Sequence, residues 1–318
     1  MENKKTPWFK KVYRFVREDI WDLELASLSR LKRAGVATVR VFHLVLKGFL
    51  ENDCQLHASA LTYTSLMAIV PILAFATAIL RGLGASKITD EFILSSVKDM
   101  PEQFQIFVTD LLEQVGRVNF SVLGGIALLL LLWMVVSVFG QVEKSFNRVW
   151  GIRSQRPLIR RFSDYLSVLV IVPILVLTAT TFNATLTTNE FLQKLFEKIG
   201  GTDTLYSFLI KMAPLITTWI AFVFLYKFMP NTKVNMGSAL FSGILGGSIW
   251  IVWQRVYMIL QVGVTRYNAI YATFASVPIF LIWLYMSWQI VLLGAELGFA
   301  LQNYATYKME QISFGAST

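Results

Sequence analysis

The sequence predicts an all-α polytopic membrane protein, six transmembrane helices preceded by an N-terminal cytoplasmic or interfacial helical extension. Three observations predict it. The 318 residues are 55% hydrophobic and only 15% charged, with a mean hydropathy of +0.56. A water-soluble fold of this size needs more polar surface to cover its core. Charge-poor stretches recur at about the 20-residue length that a helix needs to cross hydrocarbon, where unsatisfied backbone groups are too costly to tolerate. Basic residues also gather in alternate connections between those stretches, which orients the chain with both termini in the cytoplasm.

The spans follow in order. Residues 58–80 and 120–140 carry no charge, and the second, FSVLGGIALLLLLWMVVSVFG, is the clearest. The third runs from about Tyr165 to Phe182, with a Thr/Asn-rich extension toward the outer interface. Residues 212–226 are slightly short, so the fourth starts near Tyr206 with Lys211 snorkelling to the outer headgroups. The fifth is 236–254, extending toward Leu260, and the sixth lies within 274–298. The connection 141–163 holds six Lys/Arg against one Glu, whereas 81–118 holds four against six acids. This alternation also accounts for the pI of about 9.6 without a nucleic-acid partner.

Three regions are expected: a cytoplasmic helical extension over 1–35, the membrane domain over 36–305 and a cytoplasmic tail over 306–318. Charges interrupt the apolar residues of 1–35, which reads as a retained segment rather than a removable signal. In VATVRVFHLVLKGFLEND, Arg40, His43, Lys47 and Glu51 share one helical face. That is the pattern of an interfacial helix on the inner leaflet, its positive face open to anionic headgroups. The outer segment ITDEFILSSVKDMPEQFQIFVTDLLEQV reads as short amphipathic helices split near Pro101.

Chemistry is sparsely signalled. Cys54 is the only cysteine, so there is neither an internal disulfide nor a cysteine metal cluster. His43 and His57 are the only histidines, and no HExxH, phosphate-binding loop or GxSxG elbow occurs. An enzyme is therefore not expected, nor a cofactor. The polar residues at depth are more informative. Glu143, beyond the second span, needs a partner: Asn147 one turn on, or a charge from another helix. Asn147 and Trp150 are placed to anchor the helix end. Arg255 falls in the outward half of the fifth span, facing a polar cavity or snorkelling. Near the end of the sixth, Gly294, Ala295 and Gly298 leave room for close packing beside the carboxylate of Glu296. Pro71 removes an amide donor from the first span and opens the helix locally.

Three stretches resemble one family. ASALTYTSLMAIVPIL (58–73), with Tyr63 and Pro71, VEKSFNRVWGI (142–152), with Asn147 and Trp150, and PIFLIWLYMSWQIVLLGAELGFAL (278–301), with Gly294 and Glu296, occur in order on a six-span plan. Together they look like the YihY/BrkB family of bacterial inner-membrane proteins, which has carried the name ribonuclease BN, and the resemblance covers roughly residues 35–305. Thr62–Tyr63–Thr64 departs from the paired aromatic common there. The resemblance implies an inner-membrane location and brings no shared reaction with it. The expected function is transport or handling of a lipid, another amphiphile or a small solute, with membrane lipids as partners. The alternative is a structural or regulatory scaffold with a cytoplasmic protein partner.

Overall fold

The computed structural model describes residues 19–21, 23, 28–82, 93–94, 102–117, 124–167, 202–265, 269–305 and 307. Every regular element among them is helical. A 3₁₀ turn, Asp19–Trp21, precedes α1 (Arg30–Glu51), α2 (Cys54–Gly82), α3 (Glu102–Arg117), α4 (Gly124–Val149), a helical segment at 158–167, α5 (Thr202–Phe228), α6 (Met236–Thr265) and α7 (Ala269–Asn303). α6 packs most extensively against α5 and α7, while α2 packs on α4 and α7, and α1 lies along α7.

The outside of this bundle is apolar. On α6, Leu240, Ile244, Ile249, Val252, Val256 and Ile259 are all exposed. Such a continuous apolar surface matches a hydrocarbon solvent rather than water. The opposite face of α6 is small: Ser242, Gly243, Gly246 and Gly247 are buried. Lipid offers no hydrophobic reward for helix contact, so close approach through small residues is what holds such helices together. The core where α2, α4, α5 and α7 meet contains Ala58, Leu61, Val142, Phe146, Phe222, Tyr226, Leu292 and Ala295.

Among the described residues, Met236–Leu260 and Val277–Asn303 are long and apolar enough to cross a membrane, and Leu215–Phe228 is a shorter apolar helix. The expected third span lies, beyond residue 167, outside the described residues. Several helices outrun the expected hydrophobic limits because a helix continues into the interface once its backbone is paired. The greatest difference is in α4. The apolar span ends at Gly140 but the helix continues to Val149, as the expected Glu143–Asn147 pairing requires, so both residues sit on its last two turns. Gly151, at φ 66°, supplies the left-handed residue that stops it. Its N–H reaches Arg148 O at 3.1 Å and that of Ile152 reaches Asn147 O at 2.8 Å, a Schellman ending.

α1 also differs from expectation. It begins at Arg30, so the expected border at 35/36 falls inside one helix. Its positive face is partly covered. Arg40 is buried and donates to the Ile20 carbonyl at 2.7 and 3.1 Å and to Leu23 O at 2.7 Å, closing the end of the 3₁₀ turn. Burial pulls this guanidinium down from its ordinary value, without removing its charge at neutral pH. Trp21 packs edge-on against His43, and Lys47 donates to the Tyr307 hydroxyl at 3.2 Å. Residues 20–23 and Tyr307 therefore cover part of the polar face of α1, and Glu51 stays exposed. Phe42, Leu46 and Leu50 are exposed on its other side.

Candidate functional site

Glu143 is the centre of a buried charged cluster. Its carboxylate is fully buried and accepts from Asn147 Nδ2 at 3.3 Å, from the backbone N–H of Arg156 at 3.2 Å and from the Tyr165 hydroxyl. Arg156 Nη1 and Arg161 Nε approach Oε2 at 3.7 and 4.0 Å. Both sequence expectations for Glu143 are therefore met at once: the partner one turn on and the opposite charge from another segment. Asn147 faces two ways, since its Oδ1 also accepts from the backbone N–H of Asn231 at 2.8 Å. Arg156 Nη2 donates to Phe228 O at 2.7 Å and Pro230 O at 3.2 Å, pairing the last carbonyl of α5 and one just beyond it. Its guanidinium lies 5.3 Å from the Phe228 ring centroid. The cluster thus ties the ends of α4 and α5 to 158–167.

A second buried carboxylate lies at the corner between α1 and α2. Asp53 adopts φ 54°, one of the few side-chain types that tolerate this geometry, and the chain turns there within two residues. The turn aims Asn52 Nδ2 at Glu296 Oε1, 2.7 Å away, and sets Cys54 Sγ 3.5 Å from the same oxygen. Burial first, then the Glu296 charge, pushes the Cys54 thiol upward, so it is a poor nucleophile at neutral pH. Glu296 Oε2 is buried with no hydrogen-bond partner among the described residues and abuts Gly48, where any β-carbon would overlap it. Gly294 performs the same service for the Tyr226 hydroxyl, and Gly298 faces Ser242 Oγ and the indole of Trp150. Trp150 stands perpendicular to Phe299 at 5.6 Å.

An apolar cavity of about 400 Å³ is walled by α2, α3, α4, α5 and α7. Ala68 and Ile72, Val108, Phe139 and Val142, Leu225 and Met229, and Trp288 line it. Its polar lining is paired within itself, Trp288 Nε1 donating to Ser65 Oγ at 3.0 Å. α3, the second half of the expected outer amphipathic segment, supplies a wall through its buried Val108.

The structure thus gathers Glu143 with Asn147, and Trp150 with Gly298 of the α7 end; Glu296 and Gly294 find different partners. Tyr63 is exposed on the outer face of α2, away from the cavity lining. Pro71 is buried within α2, and the helix runs on past it to Gly82, so no break opens there. Arg255 is exposed on α6, in keeping with snorkelling. Sequence reasoning missed Tyr165, Asn52 and Cys54 as partners of the two carboxylates, and it assigned Arg156 and Arg161 only to orientation. Asn52–Asp53 before a long apolar helix is a corner signal that would have pointed to Asn52. No local signal marks the other partners. Among the described residues no group of three or more His, Cys, Asp or Glu side chains is placed to hold a metal ion.

The family model described as Virulence factor BrkB matches residues 45–313. The chain is similar to a UPF0761 membrane protein of Nitrosospira multiformis, 29% identical over 85% of this chain and 62% of that protein. It is also similar to one of Saccharophagus degradans (30%; 87% and 62%) and one of Psychrobacter (27%; 82% and 48%). The match therefore spans between about half and three fifths of these relatives' own length. Their names state a membrane protein and no reaction. No solved structure matches the chain.

Proposed function

The chain belongs to the BrkB family of membrane proteins, and from that premise we propose that it is a multi-pass inner-membrane protein that moves or holds an amphiphile. In this reading six helices span the bilayer, both termini are cytoplasmic, and the amphiphile occupies the cavity between α2, α4, α5 and α7. The observation that carries the reading is the cavity itself. About 400 Å³ falls within the range of small-ligand sites, roughly 300–1,000 Å³. Its walls are apolar, which suits an alkyl chain and not a hydrated ion.

The test is movement of a labelled single-chain amphiphile between leaflets of sealed vesicles containing the purified full chain. Faster movement than in protein-free vesicles, reduced when Ala68→Phe fills the cavity, supports the reading. The absence of both acceleration and binding across anionic, zwitterionic and neutral amphiphiles sinks it.

A scaffold is the second reading, and one observation favours it. The Glu143 cluster bolts α4, 158–167 and α5 together with buried charge, which resists the relative motion that alternating access needs. Retention of a cytoplasmic partner by a chain that moves no amphiphile would favour this alternative.

A further inference from the structure

Two carboxylates are fully buried among the described residues, and only one of them has a counter-ion. Glu143 faces the guanidiniums of Arg156 and Arg161 and accepts from three further donors. No Lys, Arg or His side chain among the described residues lies within ion-pair range of Glu296. Its two donors, Asn52 Nδ2 at 2.7 Å and Cys54 Sγ at 3.5 Å, are neutral and converge on one oxygen, Oε1. Oε2 is enclosed and unpaired against Gly48.

The charged and titratable groups of the surrounding elements are turned elsewhere. Lys47 of α1 lies 3.9 Å from Glu51, and Asp53 at the corner lies 3.8 Å from Arg148 of α4. His57 of α2 meets Ser145 of α4, and Tyr226 of α5 sets its hydroxyl against Gly294. Burying an isolated carboxylate anion costs far more than burying the neutral acid, which forfeits only hydrogen bonds. The donors are also arranged for the acid. Oε1 accepts as a carbonyl oxygen does, and Oε2 is left as the oxygen that carries hydrogen.

The site has a route to water. Asn52 is half-buried, and Glu51 and Asp53 on either side of it are exposed, so one side chain separates Glu296 from solvent. Gly48, Asn52 and Cys54 all belong to one short stretch of chain, so a single displacement of the α1–α2 corner uncovers the carboxyl.

We propose that Glu296 is a proton-binding site: it holds a proton on Oε2 at neutral pH while the corner is closed, and releases it to water past Asn52 when the corner lifts. On release the Oε2–H bond breaks, the proton passes to a water molecule and the electron pair stays on the carboxylate, which then takes solvation from the open corner. The site ties the position of α1 to proton uptake, whatever occupies the cavity. Asn52 and Cys54 are its positioning residues.

The experiment is infrared spectroscopy of the purified full chain in detergent, with protons as the ligand, alongside alkylation of Cys54 by iodoacetamide. At about pH 7, where an ordinary Glu with a pKa of about 4.3 is ionised, the wild type shows a carboxylic-acid C=O band that Glu296→Gln lacks. Asn52→Ala takes a hydrogen bond from the carbonyl oxygen and moves that band to higher frequency. At about pH 9 the band is lost and Cys54 reacts at least about tenfold faster than in Glu296→Gln, because an uncovered thiol of ordinary pKa near 8.5 is largely thiolate there. At about pH 7 the two rates agree within about twofold, both corners being closed. Should Glu296→Gln fail to fold, the Asn52→Ala shift assigns the band, and a wild-type Cys54 rate that rises in step with the band's loss carries the rest. A spectrum at neutral pH with no acid band that either variant removes or shifts shows Glu296 ionised and overturns the proposal. A band lost at high pH while the Cys54 rates stay equal overturns the coupling to the corner.

Discussion

Gly243 of α6 and Val223 of α5 approach so closely that a β-carbon at position 243 would lie 2.8 Å from the Val223 backbone nitrogen and 2.9 Å from its Cα. Backbone cannot rotate out of the way as a side-chain tip can. Gly247, four residues on, would place a β-carbon 3.0 Å from the Trp219 ring, so the same stripe repeats one turn along. A single methyl at 243 must push the two helices apart.

Gly243→Ala is therefore expected to destabilise the protein by about 1–3 kcal/mol, the ordinary cost of overpacking. Gly35→Ala is the control: it is also a helical glycine, but a β-carbon there meets nothing within 4 Å. That substitution is expected to be neutral or to stabilise by about 0.5–1 kcal/mol through the helical preference of alanine. Thermal unfolding in detergent measures both, and equal midpoints for the two variants would contradict the close approach.

Replacing Glu143 tests the charged cluster. Glu143→Ala leaves Arg156, only 9% exposed, without its central counter-ion, and removing one partner of a buried pair costs about 3–5 kcal/mol. Arg156→Met alone takes one of two guanidiniums from the carboxylate and leaves the Phe228 and Pro230 carbonyls without this donor, a smaller loss. The double variant should be less harmful than the sum of the two, because neither charge is then left unpaired. Strict additivity in denaturation would place the stabilisation elsewhere.

His57 gives the fold a dependence on pH. It is part-buried and 3.2 Å from Ser145 Oγ, and its pKa lies below the ordinary histidine value. Burial is the main cause, followed by the charges of Arg148 and Lys144, with Asp53 opposing. The unfolded chain then binds more protons than the folded one between the depressed pKa and about 6.5, so stability rises with pH across that window. The contribution is fully present above about pH 7 and is lost as pH falls through the folded value. A melting midpoint flat above pH 7.5 and declining toward pH 5.5, with a shallower decline in His57→Gln, is the expected result. An unchanged slope in the variant would assign the dependence to other groups.

What the sequence made legible follows the range over which each interaction acts. Apolar runs and small-residue stripes are local properties, so the helices and the close packing at Gly294 and Gly298 were readable. The Glu143–Asn147 pair was readable for the same reason, being one helical turn. Asn52 and Glu296 stand 244 positions apart and meet only because the α1–α2 corner is folded against the end of α7. Arg156 is ambiguous by composition alone, since a basic connection that orients a span has the same residues as one that closes over a buried carboxylate. Tyr63 and Pro71 do not line the cavity. Periodicity locates a helix without its rotation, and the rotation of α2 turns Tyr63 outward.

Sidedness is the last expectation, and the native cysteine makes it measurable. Cys54 is 1% exposed and its thiol is held protonated, so a membrane-impermeant maleimide should leave the folded wild type unmodified. Single cysteines at exposed positions then report without background. Ala34→Cys on α1 and Ser154→Cys after α4 are expected to react only once cells are opened, and Gln114→Cys on α3 to react in intact cells. The basic excess in 141–163 and the acidic excess in 81–118 both demand this pattern, because positive connections are retained on the cytoplasmic side. Labelling of Ala34→Cys in intact cells would invert the orientation. The Glu143 cluster, on the last turns of α4, would then lie toward the outer face.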